Sequence, residues 1–316
     1  MKRWIRHVYF VFIILVLIFI YIFIKKNLAH IKDTLNLSFT NFLILSILTI
    51  ITITLNGNKI EILTRYYKIR LKFKEWFGLS VITTMGNYLA PLGLGMSLRA
   101  FYLKRKYHFP YTLFVTTLAT SYLTSFLLYG LIGLIILTYI YIKYNFFNII
   151  VSLLFLGIFL VNLMIIVFSP KIKLNKIKFF NKFIILINNW NKMKKDFKLL
   201  LKLTLNDLIL LMIYSFRIFF IFIIISNKIP FIFAILIALI VVSSSVIGIT
   251  PASIGVKEAL IAYSTFVIGK TLNLGILVSI IDRGVSILYV FILGAIFSYI
   301  LLRNLKNKKF KNRYNL

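Results

Sequence analysis

Apolar runs long enough to cross a bilayer recur along the whole chain, separated by short segments rich in lysine and arginine. A transmembrane helix needs roughly 20 apolar residues, so these runs predict a bundle of membrane-spanning helices. The runs are continuous and do not alternate with polar residues, which excludes a β-barrel. The apolar segments fall at about 7–24, 37–56, 77–103, 111–142, 147–168, 203–226, 230–248, 251–268 and 274–302.

The segment at 77–103 is interrupted near its middle by helix-breaking residues. Pro91, Gly93 and Gly95 follow one another closely there. Proline removes a backbone donor and glycine is conformationally permissive, so both destabilise a helix interior. We therefore predict two shorter helices in place of one simple span.

Basic loops indicate how this broken segment is threaded. Lysine and arginine concentrate on the cytoplasmic side of membrane proteins. The strongly basic loops at 57–76 and 169–200 lie on that same side only if residues 77–106 enter the membrane and return. A re-entrant hairpin is thus predicted, and the basic tail at 303–316 is expected to be cytoplasmic. Irregular backbone at membrane depth needs cover from protein or water, so the hairpin also implies a cavity.

A second break follows the apolar run at 230–248. Pro251 and Gly255 interrupt the chain there, and the charge pattern permits either a re-entrant hairpin or two full crossings over 230–268. We favour the hairpin, because the chain then consists of two comparable halves of span, span, hairpin and span. Corresponding broken segments in two halves indicate a central transport site.

The two halves cover about 7–142 and 147–302. Three crossings in each half is an odd number, so the halves are expected to be inverted in the membrane. The predicted fold is a single all-α polytopic membrane domain over 1–316, with six to eight transmembrane helices and two re-entrant hairpins. Both termini are expected in the cytoplasm, and the protein in the cell membrane.

Composition narrows the classes of partner and cofactor. The chain is 61% hydrophobic with a mean hydropathy of +0.96 and a net charge of +31. Those charges lie in short loops beside apolar segments, so we expect the bilayer and not nucleic acid as the partner. There is no cysteine, and the three histidines lie far apart in tails or loops. No metal site and no cofactor are expected.

The loop at 169–200 contains aromatic residues among its lysines, including Phe179, Phe180, Phe183 and Trp190. Such a segment is suited to lying on an anionic leaflet. A merely solvated basic loop is the alternative.

Three carboxylates fall in apolar surroundings. Asp207, Glu258 and Asp282 lie within predicted membrane segments, where a charge costs about 2.5–3.5 kcal/mol and therefore indicates a function. The remaining four lie in or beside basic loops, where we expect them to cost little: Asp33, Glu61, Glu75 and Asp196.

Four cations also remain within the apolar segments, namely Arg99, Arg217, Lys257 and Arg283. One interpretation is that these charges pair between helices and fix the bundle. The functional interpretation is a hydrophilic groove whose positive centre, made by the three arginines, binds phosphate through planar paired donors. Helix N-termini after each broken segment would add backbone donors for an anion.

Glu258 has two roles open to it in such a groove. Its carboxylate would accept a cationic substrate group, or hold Arg99 or Arg283 until substrate displaces it. Catalytic motifs of the common hydrolase, P-loop and metalloprotease types are absent from the sequence. A membrane-embedded lipid transferase using Glu258 or Asp282 as a base, or a non-catalytic membrane subunit, remains the alternative function.

Three short motifs, in this order and spacing, carry a family resemblance: Asn87-x3-Pro91-x-Gly93-x-Gly95-x3-Arg99-Ala100, then Pro251-Ala252-Ser253-Ile254-Gly255-Val256-Lys257-Glu258, then Asp282-Arg283 before Gly294. Together they resemble the lysylphosphatidylglycerol synthase transmembrane, or flippase-like, family. The resemblance covers about residues 7–302. The Ala252-Ser253 pair departs from the family pattern, in which many members have glycines after the proline.

The resemblance implies a protein similar to the lipid-flipping half of bacterial multiple peptide resistance factors, which move aminoacylated phosphatidylglycerol across the cytoplasmic membrane. In those proteins aminoacyl transfer belongs to a separate soluble domain, so we expect no enzymatic activity here and a separate synthase or glycosyltransferase as partner. Archaeal relatives make a polyprenyl-phosphate glycan lipid the alternative cargo. Arg99, Glu258 and Arg283 match the polar positions of the family motifs, and the substrate is expected to be an anionic phospholipid or lipid-linked sugar.

Overall fold

A computed structural model describes residues 38–89, 93–169, 178–244 and 253–313 of the chain. Within these ranges all regular structure is helical, in ten helices. The predicted first helix at 7–24, Pro91 and Pro251 lie outside the described residues. The helices are α1 (Phe39–Tyr66), α2 (Phe73–Leu89), α3 (Leu94–Tyr107), α4 (Tyr111–Tyr144), α5 (Ile149–Val167), α6 (Lys178–Met193), α7 (Phe197–Ile224), α8 (Phe231–Ser243), α9 (Val256–Val267) and α10 (Leu272–Arg313).

Five of the described helices are long and apolar enough to cross a membrane: α1, α4, α5, α7 and the part of α10 from Leu272 to Leu305. They confirm the predicted class, an all-α polytopic membrane protein. The outward faces of these helices are apolar. Ile142 and Leu302, for example, are 77% and 60% exposed, as expected for side chains that face lipid.

Several helices extend beyond the predicted apolar segments. Residues 57–66 continue α1 where a basic loop was predicted, because Ile60 and Leu63 bury an apolar face in the bundle. Helix α7 begins six residues before the predicted start at 203, since the Asp196 side chain accepts a hydrogen bond from the Leu199 amide at 3.0 Å and caps the helix. Helix α10 likewise continues through most of the predicted basic tail, as far as Arg313.

Helices α2 and α3 form the first hairpin. They pack so closely that Gly86 lies against the backbone of Gly95, and a β-carbon on Gly95 would collide with the Thr83 carbonyl. Gly93 precedes α3 with φ of +77°, a conformation that favours glycine. Small residues permit such close backbone approach between membrane helices.

The outer ends of this hairpin lie together, which shows that the chain turns back on itself as predicted. Glu75 at the start of α2 pairs with Lys106 near the end of α3 and accepts a hydrogen bond from Tyr107 at 2.7 Å. The sequence predicted that the charge of Glu75 lies in or beside a basic loop and costs little there, and this prediction is wrong. Glu75 is 2% exposed, because Tyr102 and the Lys72 amide also donate to its carboxylate. Glu61, 7% exposed and paired with Arg65, is also more buried than expected.

Helices α8 and α9 make the second broken pair and pack against each other. Their described lengths of 13 and 12 residues correspond to roughly 20 and 18 Å, whereas the hydrocarbon core is about 30 Å thick. Gly255 precedes α9 with φ of +85°. Helices of this length fit a re-entrant hairpin better than two full crossings.

The contacts between helices follow a similar pattern in the two halves of the chain, when α1 to α4 are matched in order with α7 to α10. Six pairs of contacts correspond: α1–α2 with α7–α8, α2–α3 with α8–α9, α3–α4 with α9–α10, α2–α10 with α8–α4, α1–α10 with α7–α4, and α1–α4 with α7–α10, whereas the α3–α10 contact has no counterpart of similar extent among the described helices. Helices α1 and α7, which occupy equivalent places in the order, pack on each other. This pattern is expected of two related halves. Their inverted orientation stays a prediction.

Helix α6 lies in the loop for which an interfacial or solvated segment was predicted. It packs on α4, and its Trp190 is 5% exposed. The sulfur of Met193 accepts hydrogen bonds from the hydroxyls of Tyr67 and Thr120, at 3.4 and 3.3 Å. Trp190 therefore faces the bundle and not a headgroup layer, because this end of α6 docks on the other helices.

We expect Gly95→Ala to destabilise the protein, because the added methyl group must displace the backbone of α2 at Thr83. Overpacking of this kind costs about 1–3 kcal/mol. The measurement is the thermal midpoint of aggregation in detergent, followed by size-exclusion chromatography.

Gly157→Ala is the matched control, since nothing lies within 4 Å of the β-carbon that it would add. Equal thermal midpoints for the two variants would contradict the close packing of α2 on α3.

Candidate functional site

A polar cavity of about 420 Å³ lies at the centre of the bundle. Of the ten described helices, all but α5 and α6 contribute to its wall. Serine and threonine side chains line much of it, together with Asn56 and Asn87. The charged residues of the wall are Lys59, Arg99, Arg217, Lys257, Asp282 and Arg283. Five cations thus face the cavity beside one carboxylate.

The Lys59 ammonium pairs with Asp207 and joins α1 to α7. Its Nζ lies 2.7 Å from Oδ1 of Asp207, which is completely buried. Ser125 of α4 donates a hydrogen bond to the other carboxylate oxygen at 2.8 Å. The carboxylate of Asp207 is therefore satisfied from two neighbouring helices.

Arg217 of α7 pairs with Asp282 of α10. The guanidinium Nε lies 2.8 Å from Oδ1 of Asp282. Nη2 donates to the Asp282 carbonyl and, at 2.7 Å, to the Ser286 hydroxyl. Arg217 is thus held by the side chain and the backbone of the same helix.

Arg283 is directed to a different neighbour than Asp282, because consecutive side chains on a helix point about 100° apart. Its Nε lies 2.6 Å from Oε1 of Glu258 on α9. The guanidinium also lies 5.9 Å from the ring centre of Tyr88, at the end of α2. Arg283 therefore connects α10 to the inner ends of both hairpins.

Asn87 and Glu258 cap the inner helices of the two hairpins. The Asn87 side chain accepts a hydrogen bond from the Gly95 amide at 3.1 Å, and Glu258 accepts one from the Gly255 amide at 2.8 Å. The sequence predicted free backbone donors at these helix N-termini. These two amides are instead occupied by side chains, so here the helices offer an anion their dipole and not these N–H groups.

Two cations of the wall have no carboxylate partner among the described residues. The Arg99 guanidinium lies 5.3 Å from the ring centre of Phe114, and in the described part of the chain its buried Nε has no hydrogen-bond acceptor. Within the described ranges neither Arg99 nor Lys257 forms an ion pair. Five cations are thus compensated by three carboxylates, which leaves two positive charges beside a polar space.

The structure brings most of the predicted site residues together. Arg99, Arg217, Asp282, Arg283 and Asn87 all line the cavity. Glu258 lies behind the wall, paired with Arg283. Of the two partners that the sequence left open for Glu258, the structure selects Arg283.

Lys59 is a charged wall residue that the sequence missed. It was assigned to a basic loop because α1 was expected to end near residue 56. Asp207 was a signal that could have revealed it, since a carboxylate in apolar surroundings requires a cation. Tyr88 and Tyr122, which also line the cavity, carried no comparable signal.

The fold and the site together define a class: a multi-pass helical membrane protein with two broken helix pairs around a basic, hydroxyl-lined cavity. The chain belongs to the lysylphosphatidylglycerol synthase TM region family, whose model matches residues 8–294. It is therefore a membrane protein of a lipid-related family. No curated protein and no solved structure matches the chain.

Replacing Lys59 by Met should destabilise the fold strongly, since it leaves the buried charge of Asp207 unpaired. Breaking a buried pair from one side costs about 3–5 kcal/mol. The double variant Lys59→Met, Asp207→Leu should recover much of that loss, as measured by thermal unfolding in detergent. A double variant no more stable than the single one would contradict the pairing.

Proposed function

We propose that the protein translocates a phosphate-bearing lipid between the two leaflets of the cell membrane, with the headgroup passing through the central cavity. The observation that carries this proposal is the pair of uncompensated cations, Arg99 and Lys257, in a polar space within the bundle. A positive charge held within a membrane bundle without a counter-charge is costly, and an anionic ligand would offset that cost.

The chemistry of the wall favours phosphate among anions. A guanidinium presents planar donors that match two phosphate oxygens. The wall holds the guanidiniums of Arg99, Arg217 and Arg283, with serine and threonine hydroxyls between them. The last two are engaged by Asp282 and Glu258, so Arg99 is the arginine available for the first contact with a headgroup.

Two cargo classes fit this chemistry, aminoacyl-phosphatidylglycerol and a polyprenyl-phosphate glycan lipid. Membership of the family supports a lipid substrate. In this proposal the protein moves the lipid and does not synthesise it. Aminoacyl or sugar transfer would fall to a separate synthase or glycosyltransferase, and the basic loops and both termini would lie in the cytoplasm.

We expect Arg99→Gln to slow translocation at least tenfold, because it removes the cation that no carboxylate compensates. The measurement is the rate at which dithionite gains access to fluorescent phosphatidylglycerol in liposomes containing the purified protein. Lysyl-phosphatidylglycerol and a polyprenyl phosphate are tested in the same assay to separate the cargo classes.

Arg105→Gln is the matched control: it removes the same charge from an exposed position on the same helix and should leave the rate unchanged. Equal rates for wild type and Arg99→Gln would overturn the site. Failure of the wild type to move any of the three lipids would overturn the proposed function, whereas formation of a modified lipid in detergent would favour a transferase.

Glu258→Gln should also slow translocation, by a different route. Glutamine still offers an oxygen to the Gly255 amide but no longer neutralises Arg283. The freed guanidinium should hold an anionic headgroup more tightly, so that binding of phosphatidylglycerol strengthens while its translocation falls. Wild-type values for both quantities would indicate that the Glu258–Arg283 pair only supports the fold.

A further inference from the structure

An apolar groove lies between α4 and α5, on the side of α4 away from the centre of the bundle. Its volume is about 590 Å³, within the range of about 300–1,000 Å³ that ligand pockets occupy. Its walls include Leu123, Ile158 and Val161. The one polar side chain on the α5 wall, Asn162, donates its amide to the Ile158 carbonyl at 2.7 Å, which leaves the groove surface apolar.

Glycines on α4 permit close contact with α5 next to this groove, and a glycine on α5 borders the groove itself. Gly130 of α4 lies against the backbone of Phe159, and Gly133 lies against the ring of Phe155, so the two helices touch there. Gly157 is two residues from both phenylalanines, so it faces away from these contacts; it lines the groove, and none of the described residues lies within 4 Å of the position that a β-carbon would occupy. The surface of α5 that borders the groove is therefore open at Gly157.

The groove and the basic cavity share a wall. Tyr122 and Phe126 of α4 line both spaces. Their rings stack at 6.1 Å with an interplanar angle of 19°. This pair of aromatic side chains thus lies between a space that suits an anion and a space that suits a hydrocarbon chain.

We propose that the groove between α4 and α5 binds one hydrocarbon chain of the same lipid whose phosphate headgroup occupies the central cavity. The inference rests on the proposed function. The adjoining spaces match the two parts of such a lipid, because the cavity carries two uncompensated positive charges and the groove surface is apolar. Tyr122 and Phe126 form the lateral boundary across which the headgroup and the chain are joined, and their rings must part for the lipid to enter.

This arrangement makes the α4–α5 side of the bundle the entry path for lipid. The hydrocarbon chain of the lipid remains in apolar surroundings throughout, so that only the headgroup leaves the polar surface of the bilayer. A hydrocarbon chain in the groove therefore stays out of water while the headgroup crosses, so the hydrophobic effect does not oppose the movement.

The experiment uses phosphatidylglycerol carrying a photoactivatable diazirine on one acyl chain, incorporated into nanodiscs with the full-length protein. After irradiation, labelled residues are located by peptide mass spectrometry. Wild type should be labelled at the groove residues of α4 and α5. Phosphatidylcholine with the same diazirine chain should label these residues at least threefold less, because its headgroup carries no net charge.

Gly157→Leu should reduce labelling of the groove at least fivefold, because Gly157 lines the groove and a larger side chain there occupies part of its space. Gly284→Leu is the matched control: it makes the same exchange on α10, where a β-carbon also meets nothing within 4 Å, and it should leave labelling unchanged. Arg99→Gln should reduce labelling at least threefold, because the headgroup loses its anchor.

Undiminished labelling in Gly157→Leu would overturn the proposal. So would equal labelling by the two lipids with no effect of Arg99→Gln, which would mean that only annular lipid enters the groove. The labelling needs no translocation. Selective labelling without lipid movement would support the groove as a binding site and overturn the proposed function. Lipid movement with an unlabelled groove would support the proposed function and overturn the groove as a binding site.

Discussion

The cost of a charge in hydrocarbon surroundings is the constraint on which the rest of this structure depends. A single charge at the bilayer centre costs about 2.5–3.5 kcal/mol, so each carboxylate buried in the described bundle is paired with a cation. Four of these pairs join different helices: α1 to α7, α7 to α10, α9 to α10, and α2 to α3. The polar wall of the cavity is therefore held by the same contacts that fix the helices relative to one another.

The broken helices are tolerated because their inner ends meet polar side chains instead of lipid. Irregular backbone at membrane depth must lie against protein or water. Asn87 supplies an acceptor to the first hairpin, and Glu258 supplies one to the second. Glu258 also neutralises Arg283, whose guanidinium reaches Tyr88 of the first hairpin. One carboxylate thus connects the backbone of a broken helix to the electrostatics of the cavity.

Cations exceed carboxylates around the cavity, an excess that pairing between helices does not require. Paired charges such as Lys59 and Asp207 explain how the bundle is held together. Arg99 and Lys257 contribute nothing comparable to helix pairing, since within the described residues neither has a carboxylate partner. A polar cavity beside an apolar groove, divided by Tyr122 and Phe126, offers an amphipathic ligand two environments at once.

The sequence by itself determined the fold class, the two broken segments and most of the charged cavity residues, because hydropathy, proline and glycine act over a few neighbouring positions. The adjacent positions of Asp282 and Arg283 also require the two side chains to face different neighbours, since helical spacing separates them by about a hundred degrees. Only the tertiary structure decided which charges pair. The sequence assigned Lys59 and Glu75 to basic loops, yet both form ion pairs within the bundle, and Glu75 is buried. Their partners lie 148 and 31 residues away, and no local pattern encodes the distance between helices so remote in the chain.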